Sequence, residues 1–308
     1  MSLIKLGFPV HAMDGRLLLP AGAELTTEAL EGLIAARPEG SSQAVPLLEY
    51  GTIRQDILAF MEMEPYRVIF EDPVRKAGLL EVMNKVRLLP PILESLSYFK
   101  AHDHYTYRHI LIVFAMSTLL AQDLVQDYQD LMQEAMAGPS HDFGKIAVPL
   151  GILKKTDALS RTERGILEHH ASAGFVLLSY YLGDSQGLAA HVAKEHHERR
   201  DGSGYPLGIL LADSMVEIIA AADIYDALIS PRPYRPRAYD NRTALEELTE
   251  LAGQGKLSWE VLQALVAYNR KGKPHHSACA VSLEKRGVPP EDNLYGVILD
   301  DLPPPRVR

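Results

Sequence analysis

Residues 160–178 read SRTERGILEHHASAGFVLL. Ser160 and Glu163 form the signature of a capping box, so a helix is predicted to start here and run over about 161–182. Ile166 and Leu167 precede His170 by four and three positions, and Ala173, Gly174 and Leu177 follow it by three, four and seven. These positions share one apolar face of a helix, which points His170 inward. His169 lies about 100° further round the axis and is expected to face elsewhere. Gly174, one turn after His170, leaves room for a close neighbour.

Outward from this helix, the same periodicity predicts helices over about 105–124, 128–137, 187–198, 215–229, 241–253 and 258–269. Helix is expected almost throughout from residue 76. Residues 1–75 read differently. Arg16 to Leu25 suggests two short strands around Pro20-Ala21-Gly22, Thr26 or Thr27 opens a short helix ending near Arg37-Pro38-Glu39-Gly40, and Val45 to Leu48 suits another strand. The expected architecture is mainly α, a helical domain over 76–308 with a small α+β accessory or regulatory domain over 1–75. The segment Leu302 to Arg308 is Pro-rich and expected to be irregular.

The chain has 308 residues, 47% hydrophobic and 23% charged, so it can bury a sizeable core. Its net charge of −9 argues against wrapping long nucleic acid, which needs a basic face, but leaves room for a small anionic ligand at a local cluster of Arg and Lys. A single cysteine, Cys279, excludes a disulfide framework within the chain. The longest apolar stretch, Ile110 to Ala121, falls well short of the roughly 20 residues needed to span a bilayer. The expectation is a cytoplasmic protein with no membrane span.

Seven ligand-grade side chains lie along the helical part: His109, His141, Asp142, His170, His196, His197 and Asp223. Imidazole nitrogens and carboxylate oxygens suit iron, manganese and zinc. Asp223 sits among Ile219, Ala222 and Ala227, where a carboxylate is costly unless paired or metal-bound. A lone histidine on an apolar face is most often a hydrogen-bonded core residue. Two adjacent pairs, His141-Asp142 and His196-His197, together with Asp223, are hard to explain that way. Seven ligands exceed the need of one ion, so a cluster and hydrolytic chemistry are expected.

At these residues the sequence closely resembles the HD-GYP family of metal-dependent phosphohydrolases. His141-Asp142-Phe143-Gly144-Lys145 resembles its HDxGK motif, His170 to Gly174 its HxxxG, and His196 to Pro206 its HHExxDGxGYP. Asp223 to Leu228 resembles DxxDAL, Arg232-Pro233-Tyr234-Arg235 the RPYR segment, and Tyr107-Arg108-His109 the first histidine motif. The resemblance implies an all-helical domain with two or three metals, often iron, that hydrolyses cyclic di-GMP to pGpG or GMP. It implies that all seven residues are metal ligands, with Asp142 bridging and catalytic. It further implies that Lys145 contacts a substrate phosphate and that Arg232 and Arg235 lie near the nucleotide. Lys145, three residues after Asp142, can present an ammonium beside the metals, and the two arginines offer forked donors. Tyr205 could stack on or hydrogen-bond to the substrate, or simply pack.

Three-metal members of the family carry a Glu one turn before the first histidine, where this chain has Tyr105. Two divalent ions are therefore expected, iron first, with manganese or zinc as alternatives. Arg200 replaces a usual Trp. The competing expectation is a metal-containing signalling module of low activity that binds cyclic di-GMP or a protein partner, the latter through residues 1–75. Among other candidates, His102-Asp103-His104 and His275-His276 are read as solvated, Trp259 as core, and Asp226 as structural or as support for Asp223.

Overall fold

The computed structural model describes residues 4–38, 43–232, 235, 237–291 and 297–301. Among these, thirteen α-helices and four very short strands form the chain. Strands β1 (Val10–His11) and β2 (Leu17–Leu19) pair antiparallel, as do β3 (Val45–Pro46) and β4 (Arg87–Leu88). The helices are α1 (Thr27–Ala35), α2 (Ile53–Met61), α3 (Arg67–Phe70), α4 (Pro73–Met83), α5 (Pro90–His102), α6 (His104–Leu124) and α7 (Tyr128–Ala137). After them come α8 (Leu150–Leu153), α9 (Arg161–Leu182), α10 (Leu188–Glu195), α11 (Ser214–Ile229), α12 (Asn241–Gly253) and α13 (Trp259–Asn269).

Side-chain caps mark most helix starts. Asp72, Asp103, Asp127, Asp213, Asp240 and Ser258 each accept a backbone N–H at the start of α4, α6, α7, α11, α12 and α13. Each such cap is worth about 1 kcal/mol. Helix α9 has the full capping box between Ser160 and Glu163 and ends on Gly183 at φ 72°, a left-handed conformation that suits glycine.

Helix α6 is the axis of the molecule. Every side chain from His109 to Ala121 is buried, and α2, α4, α5, α7, α11 and α13 pack around it. Helix α9 packs against α10, against α1 and β1, and against the turn that follows Asp142. The buried side chains form one contiguous core from Leu6 in the N-terminal region to Tyr268 in α13.

The structure departs from several expectations. Helix begins at Ile53, well ahead of residue 76. Ile53, Ile57, Phe60 and Met61 are the buried residues of α2, and their spacing of four, seven and eight is the helical signal. Asp103 is buried, capping α6 through Thr106, and is not part of a solvated loop. His276 is likewise buried, whereas Trp259, expected in the core, stands 41% exposed at the first turn of α13. The Pro-rich segment 302–308 lies outside the described residues.

Candidate metal centre

The fold brings all seven expected ligands to one place. His109 projects from the second turn of α6, and His141-Asp142 follows the 3-10 turn Gly138–Ser140 that extends α7. His170 comes from the middle of α9, His196-His197 from the end of α10, and Asp223 from the middle of α11. Ligand-capable atoms of His109, His141 and Asp223 lie within 4.8 Å of one another, and so do those of His170, His196 and His197. Asp142 sits between the two groups. Its Oδ2 is 3.3 Å from His109 Nε2 and 3.4 Å from His141 Nε2. Its Oδ1 is 3.5 Å from His170 Nε2 and 3.9 Å from His196 Nε2. Asp223 spans them from the other side, with Oδ1 3.1 Å from His109 Nε2 and Oδ2 3.9 Å from His197 Nδ1.

The rings are aimed by their outer nitrogens. Nδ1 of His141, His170 and His196 lies 2.8, 2.6 and 2.9 Å from the carbonyls of Gly138, Leu167 and Val192. Nδ1 of His109 lies 2.6 Å from Asp226 Oδ2. A carbonyl or carboxylate can only accept, so each Nδ1 carries a proton, and in the neutral rings Nε2 turns a lone pair inward. His170 Nε2 then faces His197 Nε2 at 3.1 Å and His196 Nε2 at 3.5 Å. Burial holds His170 down to about 4 and His196 down to about 3, and drives His197 well below its ordinary value, so these rings are neutral at pH 7. His109 differs. Burial opposes its charge, but Asp142, Asp223 and Asp226 outweigh burial and push it up to about 10, so with no cation beside it Nε2 carries a second proton, which a metal ion would displace. His109 Nε2, His141 Nε2 and Asp142 Oδ1 are buried atoms without a hydrogen-bond partner among the described residues. Lone pairs converging on one another, with orphaned atoms beside them, are what divalent cations would satisfy, and the N/O donor set suits iron, manganese or zinc.

Around this centre the motif residues have mechanical roles. A Cβ on Gly144 would stand 1.9 Å from the carbonyl oxygen of His170 and 2.5 Å from Gly174 N, so the His141-Asp142 turn rests directly on α9. Gly174 makes the space for it, as the spacing predicted, and also meets Ala193 of α10. Glu198 is fully buried and accepts the backbone N–H groups of Leu207, Gly208 and Ile209 at 2.6, 3.2 and 3.2 Å, closing the loop after His197 on itself. Gly204 passes so close to Glu198 that a Cβ would lie 2.4 Å from its Cα. The sequence reading assigned Glu198 no task. Its signal was a glutamate directly after the His196-His197 pair, three residues past the end of α10. Asp226, read as possible support for Asp223, instead supports His109. It also accepts the Tyr66 hydroxyl at 2.6 Å, from the region ahead of residue 76.

The expected substrate residues divide. Lys145 Nζ ion-pairs with Asp142 Oδ2 at the edge of the centre. The Tyr205 ring stacks on His197 with centroids 4.5 Å apart, the packing alternative of its two readings. Arg232 is half-buried, with its guanidinium 5.0 Å from the Tyr105 ring centroid, and Tyr105 in turn stacks on His109 at 5.9 Å. Arg235 is corrected. It is 2% exposed and its guanidinium donates to the carbonyls of Ala227, Leu228 and Ser230, so it holds the end of α11 instead of facing a ligand. Pro233 and Tyr234 of the same motif lie outside the described residues.

A helical body that converges five histidines and two aspartates on paired three-ligand groups defines a helical domain equipped to hold metal ions. The family described as HD domain matches residues 92–261, more than half of the chain. The chain belongs to the HD-domain family, and its motifs are those of the HD-GYP branch. It is 34% identical over 183 residues to a cyclic di-GMP phosphodiesterase of Thermotoga maritima, covering 58% of this chain and 48% of that one. It is 34% identical over 177 residues to a cyclic di-GMP phosphodiesterase of Pseudomonas aeruginosa (56% and 42% covered). With a 3'3'-cGAMP-specific phosphodiesterase of Vibrio cholerae it shares 34% over 165 residues (52% and 36% covered). The chain thus spans about half the length of these curated relatives or less. Among solved structures, an HDG"Y"P protein from Bdellovibrio bacteriovorus superposes with a TM-score of 0.46 at 18% identity, covering 85% of this chain and 94% of that one.

Proposed function

We propose that this protein is a metal-dependent phosphodiesterase that hydrolyses cyclic di-GMP to pGpG or GMP, using two divalent ions, iron first. One observation carries the reading: Asp142 presents one carboxylate oxygen to each of two three-residue ligand groups. The names of the similar proteins support the substrate class, cyclic dinucleotides.

In this reading His109, His141 and Asp223 would hold one ion and His170, His196 and His197 the other, with Asp142 offering a carboxylate oxygen to each group. Bound divalent ions supply Lewis acidity for activating water and for neutralising phosphate charge. The reaction adds the oxygen of water to phosphorus and breaks one P–O3' bond, leaving a 5'-phosphate and a free 3'-hydroxyl. Burial keeps His170 and His196 unprotonated so that their lone pairs are available at neutral pH. Lys145, within three residues of the bridging carboxylate, offers its ammonium to a phosphate oxygen beside the centre. Arg232, beside Tyr105, offers a second cation to the dinucleotide. Tyr105 fills the position from which three-metal relatives present a carboxylate, which limits the centre to two ions.

The second reading is a metal-containing module of low turnover that binds cyclic di-GMP or a protein partner, the latter through residues 1–75. The Lys145–Asp142 ion pair favours it, because it holds the ammonium away from substrate. No described helix is long and apolar enough to cross a membrane, and a cytoplasmic location is proposed with the function. The test is anaerobic, iron-loaded protein assayed for metal content and for hydrolysis of cyclic di-GMP and 3'3'-cGAMP, beside the double variant His141→Ala/Asp142→Ala. About two ions per chain with turnover of cyclic di-GMP well above the double variant is expected. Two ions without turnover would leave the binding module. A preference for 3'3'-cGAMP would reassign the substrate.

A further inference from the structure

We infer that Tyr66, which lies ahead of the HD match, is a positioning residue for one half of the metal centre, the half built on His109. The inference rests on the reading that the centre holds two ions.

Tyr66 is 1% exposed. Its hydroxyl donates to Asp226 Oδ1 at 2.6 Å and lies 2.5 Å from Ser230 Oγ, which itself donates to Asp226 Oδ1 at 3.0 Å. The other oxygen of the same carboxylate, Oδ2, accepts His109 Nδ1–H at 2.6 Å. Every member of this chain is buried, so none can exchange its partner for water. The direction of each hydrogen bond is set by chemistry: Asp226 can only accept, Tyr66 donates, and His109 donates from Nδ1, which leaves Nε2 as the nitrogen a metal ion would take. Tyr66 therefore fixes the plane of Asp226, and Asp226 fixes the ring of His109.

The three rings of the other half lack such a device. Nδ1 of His170 and His196 is held by backbone carbonyls of its own helix, and His197 is stacked on Tyr205. Nor is Tyr66 a loose end. The carbonyl of Pro65 accepts Asn241 Nδ2 at 3.0 Å, and Lys273 Nζ reaches the Val68 carbonyl and Glu71, so the start of α3 is clamped from both sides. The result is an asymmetric centre. His170 and His196 in one group and His141 in the other are aimed by local backbone, whereas His109 is aimed through Asp226 by a hydroxyl brought from about 40 residues before it in the sequence. Groups that hold a ligand from behind typically change metal affinity 10- to 100-fold when removed. Tyr66 acts through one intermediary and should fall at the low end.

The test uses full-length protein stripped of metal and titrated anaerobically with Co(II) alone against a competing chelator, for wild type, Tyr66→Phe and Ser230→Ala. Wild type should take up two ions. Tyr66→Phe should weaken one site by about tenfold and leave the other unchanged, and should shift the ring N–H resonance of cobalt-bound His109 while those of His141, His170 and His196 stay in place. Ser230→Ala, which takes a donor from the same oxygen with little change in shape, should move the same site in the same direction by less. It keeps the inference testable if Tyr66→Phe folds poorly. Two unchanged affinities, or both sites weakened alike in step with thermal stability, would overturn the inference. Failure of wild type to bind Co(II) would instead sink the metal reading on which it rests.

Discussion

Single residues here are decided by what burial leaves them to bond. Glu134 in α7 is fully buried, and neither carboxylate oxygen meets a hydrogen-bond donor in good geometry among the described residues. Burial pushes its carboxyl up to about 8, with the Ser117 hydroxyl offsetting this only in part. Because the folded value lies above the unfolded one, the folded state holds the extra proton. Its contribution to stability is complete below about pH 4.5 and is lost as pH rises towards 8, by an amount on the order of a few kcal/mol. Glu134→Gln should therefore be more stable than wild type at pH 8 and little different at pH 5, measured as thermal midpoints of metal-matched samples. Equal slopes of stability against pH for both proteins would refute the assignment. Nothing in the sequence marked Glu134, since a glutamate in a helix usually faces water and only the packing of α7 against α6 buries this one. Arg235 was misread for the same reason. The family resemblance placed it near a nucleotide, and three carbonyls at the end of α11 claimed it.

At the scale of elements, helix α9 and the loop after α10 show how motifs work as machinery. The capping box, the inward face and the glycine one turn past His170 were all legible, because each is a local rule of helix geometry. The partner that Gly174 admits was not legible. Contact with Gly144 joins residues thirty apart, and no periodicity encodes it. The loop depends on Glu198, whose carboxylate gathers three backbone N–H groups and so holds Tyr205 over His197. Hydrogen bonds to a charged acceptor contribute about 1.5–3 kcal/mol. Glu198→Ala should accordingly speed amide exchange at Leu207, Gly208 and Ile209 by roughly 10- to 100-fold while leaving α6 protected. Unchanged exchange at those three amides would show that the loop is held by something else.

For the whole molecule, the proposed centre ties α6, α9, α10 and α11 together with the turn after α7, so metal and stability should be linked. Removing the ions with a chelator should lower the thermal midpoint by several degrees, since a ligand at 100 times its Kd stabilises by about 2.7 kcal/mol. Acid should do the same. The folded values of His170 and His196 lie below the ordinary 6.5, so their contribution is complete above about pH 6.5 and is lost as pH falls towards 4 and 3. Metal should be retained on dialysis at pH 7.5 and lost by pH 3. Full retention at pH 3, or chelation with no change in midpoint, would contradict the link. The sequence by itself determined the helical character, the position of most helices and the seven residues that converge, because helix period, caps and apolar faces are local and point side chains predictably. Only the tertiary structure decided that Asp142 divides its two oxygens between two ligand groups, that Asp226 serves His109, and that Tyr66 stands behind them both. Those facts are distances between chain segments far apart in sequence, set by how α3, α6 and α11 pack, and local propensity carries no information about them.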